Sequence, residues 1–180
     1  FLGKVKVQDK ALPFPYRTHD DPDREKLLPF VAFAKKFGHR FDLSSPEAIT
    51  DSFNQLLQDV QGRPEQHVLE QLGIRTMAKA KYTVENIGHY GLGFEHYCHF
   101  TSPIRRYPDL VIHRLLTALE QNQKKPYQLD DLGGIAGQCT RTETEADSAE
   151  KESIALRRAE YYKDLLYKGE VGPYKACIIK

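Results

Sequence analysis

Apolar positions recur at helical spacing in several separate stretches of the chain. In "DPDREKLLPFVAFAKKFG", Leu27, Val31, Ala34 and Phe37 fall on one face. Asp20 or Asp21 supplies a cap, Pro22 takes the first helical position, acids follow in the first turn, and Gly38 ends the helix. "SSPEAITDSFNQLLQDV" repeats the pattern, with Ser44 or Ser45 as cap, Pro46 next, and a stripe of Ile49, Phe53, Leu56, Leu57 and Val60. A third helix is predicted from Pro64 to about Ala80. A fourth follows the Ser102–Pro103 pair and buries Ile104, Tyr107, Val111, Leu115 and Leu119. Pro108 means that this helix is kinked, or begins there with residues 103–107 as a lead-in turn. A last, long helix runs from a cap near Asp130 to just before Gly169.

Two stretches break this rhythm. In "IGHYGLGFEHY", Tyr90, Leu92 and Phe94 alternate with Gly91 and Gly93, the period of a short strand. Its glycine face would admit another backbone or a ligand closely. The tail from Glu170 ends in "KACIIK", a strand-prone run with nothing after it to pair with. The predicted class is α+β and predominantly helical, with a glycine-bearing strand and a long C-terminal helix. Residues 1–169 are expected to form one domain portion, and residues 170–180 a linker and the first strand of another. The abrupt start at Phe1 suggests an excised piece.

Composition narrows the function by exclusion. Lys and Arg total 26 against 25 Asp and Glu, a net charge of +1, so bulk charge points to no nucleic-acid binder and an anion site must be local. Cys98, Cys139 and Cys177 form neither a close pair nor an even set, which suggests a reducing, cytoplasmic setting. No apolar run approaches about 18 residues, the length that would suggest a membrane span.

The chemistry-bearing stretch is "EHYCHFTSPIRRYPDLVIHRLL". It places Arg105 and Arg106 near the start of a helix, where partial positive charge makes cations locally unfavourable. A bound phosphate would compensate that placement. The hydroxyls of Thr101 and Ser102 and the free N–H groups of a helix start make an anion site, and guanidinium forks suit phosphate. Asp109 lies four residues after Arg105 and four before His113, so the three share a helical face. Asp109 could hold Arg105 in place while accepting from His113.

Other constellations carry less. His96, Cys98, His99 and His113 match no closed zinc spacing. Asp20, Asp21 and Asp23 are explained by helix polarity rather than a metal. Glu143, Glu145, Asp147, Glu150 and Lys151 read as a charged helix face with i,i+4 pairs. Metal-assisted phosphodiester hydrolysis needs several converging carboxylates, and no convincing set is present. The phosphate grip is readable here; the cutting metals are not.

At "HFTSPIRRYPDLVIHRLL" the chain resembles the RNase II / RNase R family of 3′→5′ exoribonucleases, on its RNase R side. "PYRTHDDPDREKLLPF" resembles the family's Arg-x-His turn, and "IRTMAKAKYTVENIGHYGLGFEHY" the segment entering its glycine-bearing strand. The resemblance covers nearly the whole chain and implies the C-terminal half of a catalytic RNB domain. It implies RNA degradation: a hydrolase that takes single-stranded RNA 3′ end first and releases nucleoside 5′-monophosphates. Arg105 matches the family's essential arginine, with Thr101, Ser102, Arg106 and Tyr107 as RNA contacts. Asp109 and His113 support it, and Glu150 matches an acidic position on the long helix. The magnesium implied by the family would be held by aspartates of an upstream half that this sequence does not contain. The tail resembles the entry to a downstream S1 domain, a further expected partner. The alternative is a non-catalytic helical module that binds RNA or protein on the same scaffold, with a zinc-binding module a distant third.

Overall fold

In a computed structural model, the structure describes residues 6–7, 10–11, 13–121, 126–169 and 172. The amphipathic stretches become five α-helices among the described residues: α1 (Arg24–Lys35), α2 (Pro46–Asp59), α3 (Gln66–Thr76), α4 (Tyr107–Glu120) and α5 (Leu129–Tyr167). Short strands complete the inventory: β1 (Lys6–Val7), β2 (Lys10–Ala11), β3 (Tyr16–Thr18) and β4 (Lys81–Thr83). The chain is predominantly helical with minor strand, as the pattern predicts. The strand expected within residues 170–180 lies outside the described residues, Gly172 apart.

One unit comprises residues 16–81 and 85–98. Here α3 packs against α1 and α2. The cap of α1 is Asp23, not Asp20 or Asp21: its carboxylate accepts from Glu25 N at 3.0 Å, so the helix starts after Pro22. Ser45 caps α2 as expected, accepting from Ala48 N, with Pro46 in the first turn. Helix α3 is shorter than predicted at both ends.

The core of this unit is built from Leu27, Phe30, Ala34, Ile49, Phe53, Leu56, Val60 and Leu69. Phe30 and Phe53 stack with centroids 5.6 Å apart, and Phe41 meets both edge-on. Each such buried ring contributes about 1.5–3 kcal/mol of transfer free energy. Phe37 and Leu57, expected on the buried stripes, are exposed instead: Phe37 lies in the turn after α1 has ended at Lys35, and Leu57 points away from the face that buries Phe53, Leu56 and Val60.

The glycine-rich segment is not the expected strand. Tyr90–Leu92 form a single 3₁₀ turn, and Gly93 closes it in the left-handed region at φ 66°. His89 N donates to Phe94 O at 2.8 Å, so residues 90–93 are the loop between two bridged positions rather than part of a ladder. A side chain at Gly93 would strain that φ, which explains the glycine better than strand alternation does.

The other unit comprises residues 1–15, 82–84 and 99–180. Strands β1 and β2 pair antiparallel, Lys6 with Ala11 and Val7 with Lys10. Helices α4 and α5 pack together, burying Val111, Ile112, Leu115 and Ala118 on one and Leu132 and Ala136 on the other. The cap of α5 is Gln128, in a reciprocal box with Asp131, two residues before the expected Asp130. Tyr82 N donates to the Thr140 hydroxyl at 2.9 Å, tying β4 to this helix. At 39 residues, α5 is about 58 Å long, and its C-terminal half is exposed almost throughout. No helix among the described residues is long and apolar enough to cross a membrane.

Candidate phosphate-binding site

The site is a turn leading into α4. Ser102 O accepts from Arg105 N at 3.2 Å and from Arg106 N at 3.1 Å, closing a loop before the helix. Arg106 is the N-cap with extended backbone, and Pro108 sits in the first turn, where its missing N–H removes no helical hydrogen bond. The second reading of Pro108 is therefore the correct one: the helix begins at Tyr107 and the arginines precede it.

That register changes which groups meet. Asp109 is 0% exposed and receives three hydrogen bonds on Oδ2: from Ser102 N at 2.7 Å, Arg106 Nη2 at 2.9 Å and Arg106 Nε at 3.2 Å. The expected Arg105–Asp109–His113 ladder does not form. Arg105 lies off the helix, so the i,i+4 rule does not apply to it, and Arg106 reaches Asp109 at i,i+3 instead. His113 Nε2 donates to Phe100 O at 2.8 Å, and its ring stacks on Phe100 with centroids 4.4 Å apart. Asp109 also occupies the positive end of α4, the position an external anion would otherwise take.

The outcome is a division of labour. Arg106 is committed to a buried carboxylate and holds the turn in shape. Arg105 is exposed and, among the described residues, makes no side-chain hydrogen bond or ion pair. The hydroxyls of Thr101 (exposed) and Ser102 (half-buried) likewise make none among the described residues. A rigid turn presenting one unneutralised guanidinium beside two hydroxyls suits a phosphate oxygen. Ile104, expected in the core, is 97% exposed at the tip of this turn, and Tyr107 is 47% exposed, because both precede the buried face of α4.

Tyr107 has a partner that sequence reasoning missed. Arg114, two turns further along α4, donates through Nη1 to the Tyr127 hydroxyl at 2.9 Å and to the Tyr107 hydroxyl at 3.4 Å. The spacing of Tyr107 and Arg114 on one face was the available signal; Tyr127 had none. Glu150 stands exposed on α5 with no hydrogen bond or ion pair among the described residues. Nearby, Lys151 pairs with Asp147 at 2.7 Å, as the i,i+4 pattern predicts.

The zinc candidates are engaged elsewhere. His99 Nδ1 bonds the Tyr82 hydroxyl at 2.8 Å, and His96 Nδ1 lies 3.3 Å from Asn86 Nδ2. Among the described residues, no three His, Cys, Asp or Glu side chains converge as a metal would require. These residues do not fit a magnesium centre.

The other unit holds a histidine cluster that sequence reasoning also passed over. His19 and His89 stack with centroids 5.1 Å apart. His19 Nδ1 accepts from Gly91 N at 3.0 Å and Nε2 donates to Ala78 O at 2.7 Å. Burial, and then the neighbouring His19, hold His89 below the usual imidazole range, and its Nδ1 is buried without a hydrogen-bond partner among the described residues.

Comparison with known proteins adds to this geometry. The RNB domain matches residues 3–122. The chain is 38% identical to Ribonuclease R of Aquifex aeolicus over 169 residues, covering 92% of this chain and 24% of that protein. Its fold is similar to RNase R of Mycoplasma genitalium without ligand, at TM-score 0.73 and 27% identity, covering 90% of this chain and 26% of that one. Against the same enzyme in complex with ribose-methylated single-stranded RNA, the TM-score is 0.70 at 29% identity, with the same coverage of both chains. Yeast Ssd1, a pseudonuclease, is similar at TM-score 0.59 and 27% identity, covering 69% of this chain and 16% of that one. The chain spans about a quarter of the length of the Ribonuclease R proteins it matches.

Proposed function

Because the chain belongs to the RNB domain family of ribonucleases, we propose that it is the phosphate-gripping portion of a 3′→5′ exoribonuclease catalytic domain. Its substrate is single-stranded RNA and its product nucleoside 5′-monophosphate. The observation that carries this reading is the asymmetry of the arginine pair: Arg106 locked on buried Asp109, Arg105 free on the turn that this lock shapes. Arg105 contacts the phosphate at the scissile bond and stabilises the charge that develops on it in the transition state. Thr101 and Ser102 offer hydroxyl donors to the same oxygens, while Asp109, and His113 through Phe100, hold the turn.

In this reading a magnesium ion would be held by residues outside this chain and would there supply Lewis-acid chemistry, while this chain's own residues bind and orient the phosphate. The expected setting is the cytoplasm, whose reducing conditions suit Cys98 and Cys139, which form no disulfide among the described residues.

Two measurements test the reading. The 180-residue chain alone, given magnesium and single-stranded RNA, should release no mononucleotide; sustained release that survives repurification overturns it. In an intact enzyme carrying this segment, Arg105→Ala should depress turnover far more than RNA affinity. An equal loss of both makes Arg105 a uniform binding residue instead. A second reading, a non-catalytic RNA-binding module, is favoured by the likeness to a pseudonuclease. An intact protein that binds RNA without turnover, with Arg105 unchanged, would select it.

A further inference from the structure

Beside the arginine turn, a cleft of about 490 Å³ opens between the start of α4 and the first turns of α5. Tyr107 and Tyr127 line it, with Gly134, Ile135 and Cys139 along the helix wall. Three features distinguish it from a packing gap. First, its volume lies in the range of small-ligand sites, roughly 300–1,000 Å³. Second, both rings are held rather than loose: Arg114 donates to the two phenol oxygens, and its guanidinium carbon sits 5.9 Å from the centroid of the Tyr107 ring. Third, a glycine, Gly134, forms part of the helix wall, where a Cβ would meet nothing within 4 Å, as at Gly133 and Gly137 beside it.

We propose that this cleft receives a nucleobase of the RNA strand whose phosphate lies at Arg105. The inference rests on the phosphate reading above and adds a base contact that the phosphate turn does not supply. Tyr107 follows Arg105 and Arg106 directly, so a strand gripped at the turn has its neighbouring base at the mouth of the cleft. The wall is mainly apolar and aromatic, with Asp131 and Gln138 as its polar members, so it takes the π-face common to all bases. Arg114 adds positive charge behind the rings, favourable to an electron-rich base and to the flanking phosphate.

The test uses the whole chain and two labelled oligomers of equal length, oligoadenylate and its abasic ribose-phosphate counterpart, with affinities read by fluorescence anisotropy. The wild-type chain is expected to bind oligoadenylate about tenfold more tightly than the abasic strand, the gain of one stacked base. Gly134→Leu, whose Cβ would meet nothing within 4 Å, adds an apolar side chain to the cleft wall and should abolish that preference, with abasic binding and the helical circular-dichroism signal retained. Tyr127→Leu, which keeps the wall apolar but removes a ring, should do the same and stands in if the first variant folds poorly. Arg105→Ala should weaken both oligomers alike and preserve their ratio. Equal wild-type binding of the two oligomers overturns the cleft proposal and leaves the phosphate reading intact. A ratio unchanged by both cleft variants also overturns it and leaves the cleft to a protein side chain. Binding of neither oligomer by the wild-type chain overturns both readings.

Discussion

Arg105 and Arg106 are neighbours in sequence with opposite environments, and their variants should separate accordingly. Arg106→Ala leaves the Asp109 carboxylate, 0% exposed, with one backbone donor and no countercharge. Breaking a buried pair in this way costs about 3 kcal/mol or more, which urea denaturation of the chain measures directly. Arg105→Ala, at an exposed position without a partner, should stay within about 0.5 kcal/mol of wild type. A neutral Arg106→Ala would mean that Asp109 does not depend on the pair. The sequence showed that a carboxylate and two arginines lie within helical reach; it did not show which arginine is on the helix. That was decided by Ser102 O taking both Arg105 N and Arg106 N, a turn closure invisible to side-chain spacing. His89 supplies a residue-scale prediction of another kind. Its folded pKa is lowered, chiefly by burial and then by His19. The unfolded chain therefore binds the proton more readily than the folded one. Stability from this group is fully present above the unfolded value, about 6.5, and is lost as pH falls below it toward the folded value. Thermal unfolding at pH 7.5 and 5 should show a smaller acid loss for His89→Gln than for wild type. Equal losses would remove His89 from the pH response.

At the scale of elements, legibility followed how local each signal is. Helix α2 was readable in its cap, its bounds and its stripe, Leu57 apart, because a serine, a proline and an apolar stripe all act within one helix. Ser45→Ala should accordingly cost about 1 kcal/mol, visible as a lowered melting temperature with α2 otherwise intact. The aromatic cluster was only half legible: Phe53 lies on its predicted stripe, whereas Phe30 and Phe41 join it through tertiary packing. Phe53→Ala should be far costlier than the cap change, about 3–5 kcal/mol. The glycine-rich segment was misread because alternation of large residues with glycine satisfies both a strand and a tight loop. Contacts distant in sequence choose between them. Gly91 N is taken by His19 Nδ1 and Tyr90 N by His19 O, 72 and 71 residues away in the chain, so no local window contains the deciding partner.

At the scale of the whole molecule, charge sets how any RNA contact must behave. With 26 cationic against 25 acidic side chains, the chain has no excess charge to attract a polyanion at large. Along α5, Lys151 pairs with Asp147 and Arg157 with Glu160, so part of its charge is spent within the helix. Affinity for RNA must therefore come from few phosphate contacts, and the salt dependence counts them. Each phosphate neutralised on a single strand contributes a slope of about −0.7 in log K against log salt. One or two contacts at the turn predict a total slope between about −0.7 and −1.4, much shallower than that of a basic RNA-binding surface. Arg105→Ala should remove about 0.7 of it, whereas Gly134→Leu, which alters no charge, should weaken binding and leave the slope unchanged. Anisotropy titrations between 50 and 200 mM salt, a range over which a many-contact binder loses roughly a thousandfold or more, distinguish the cases. A steep slope that survives Arg105→Ala would place the phosphate contacts on other cations and refute the turn as the grip.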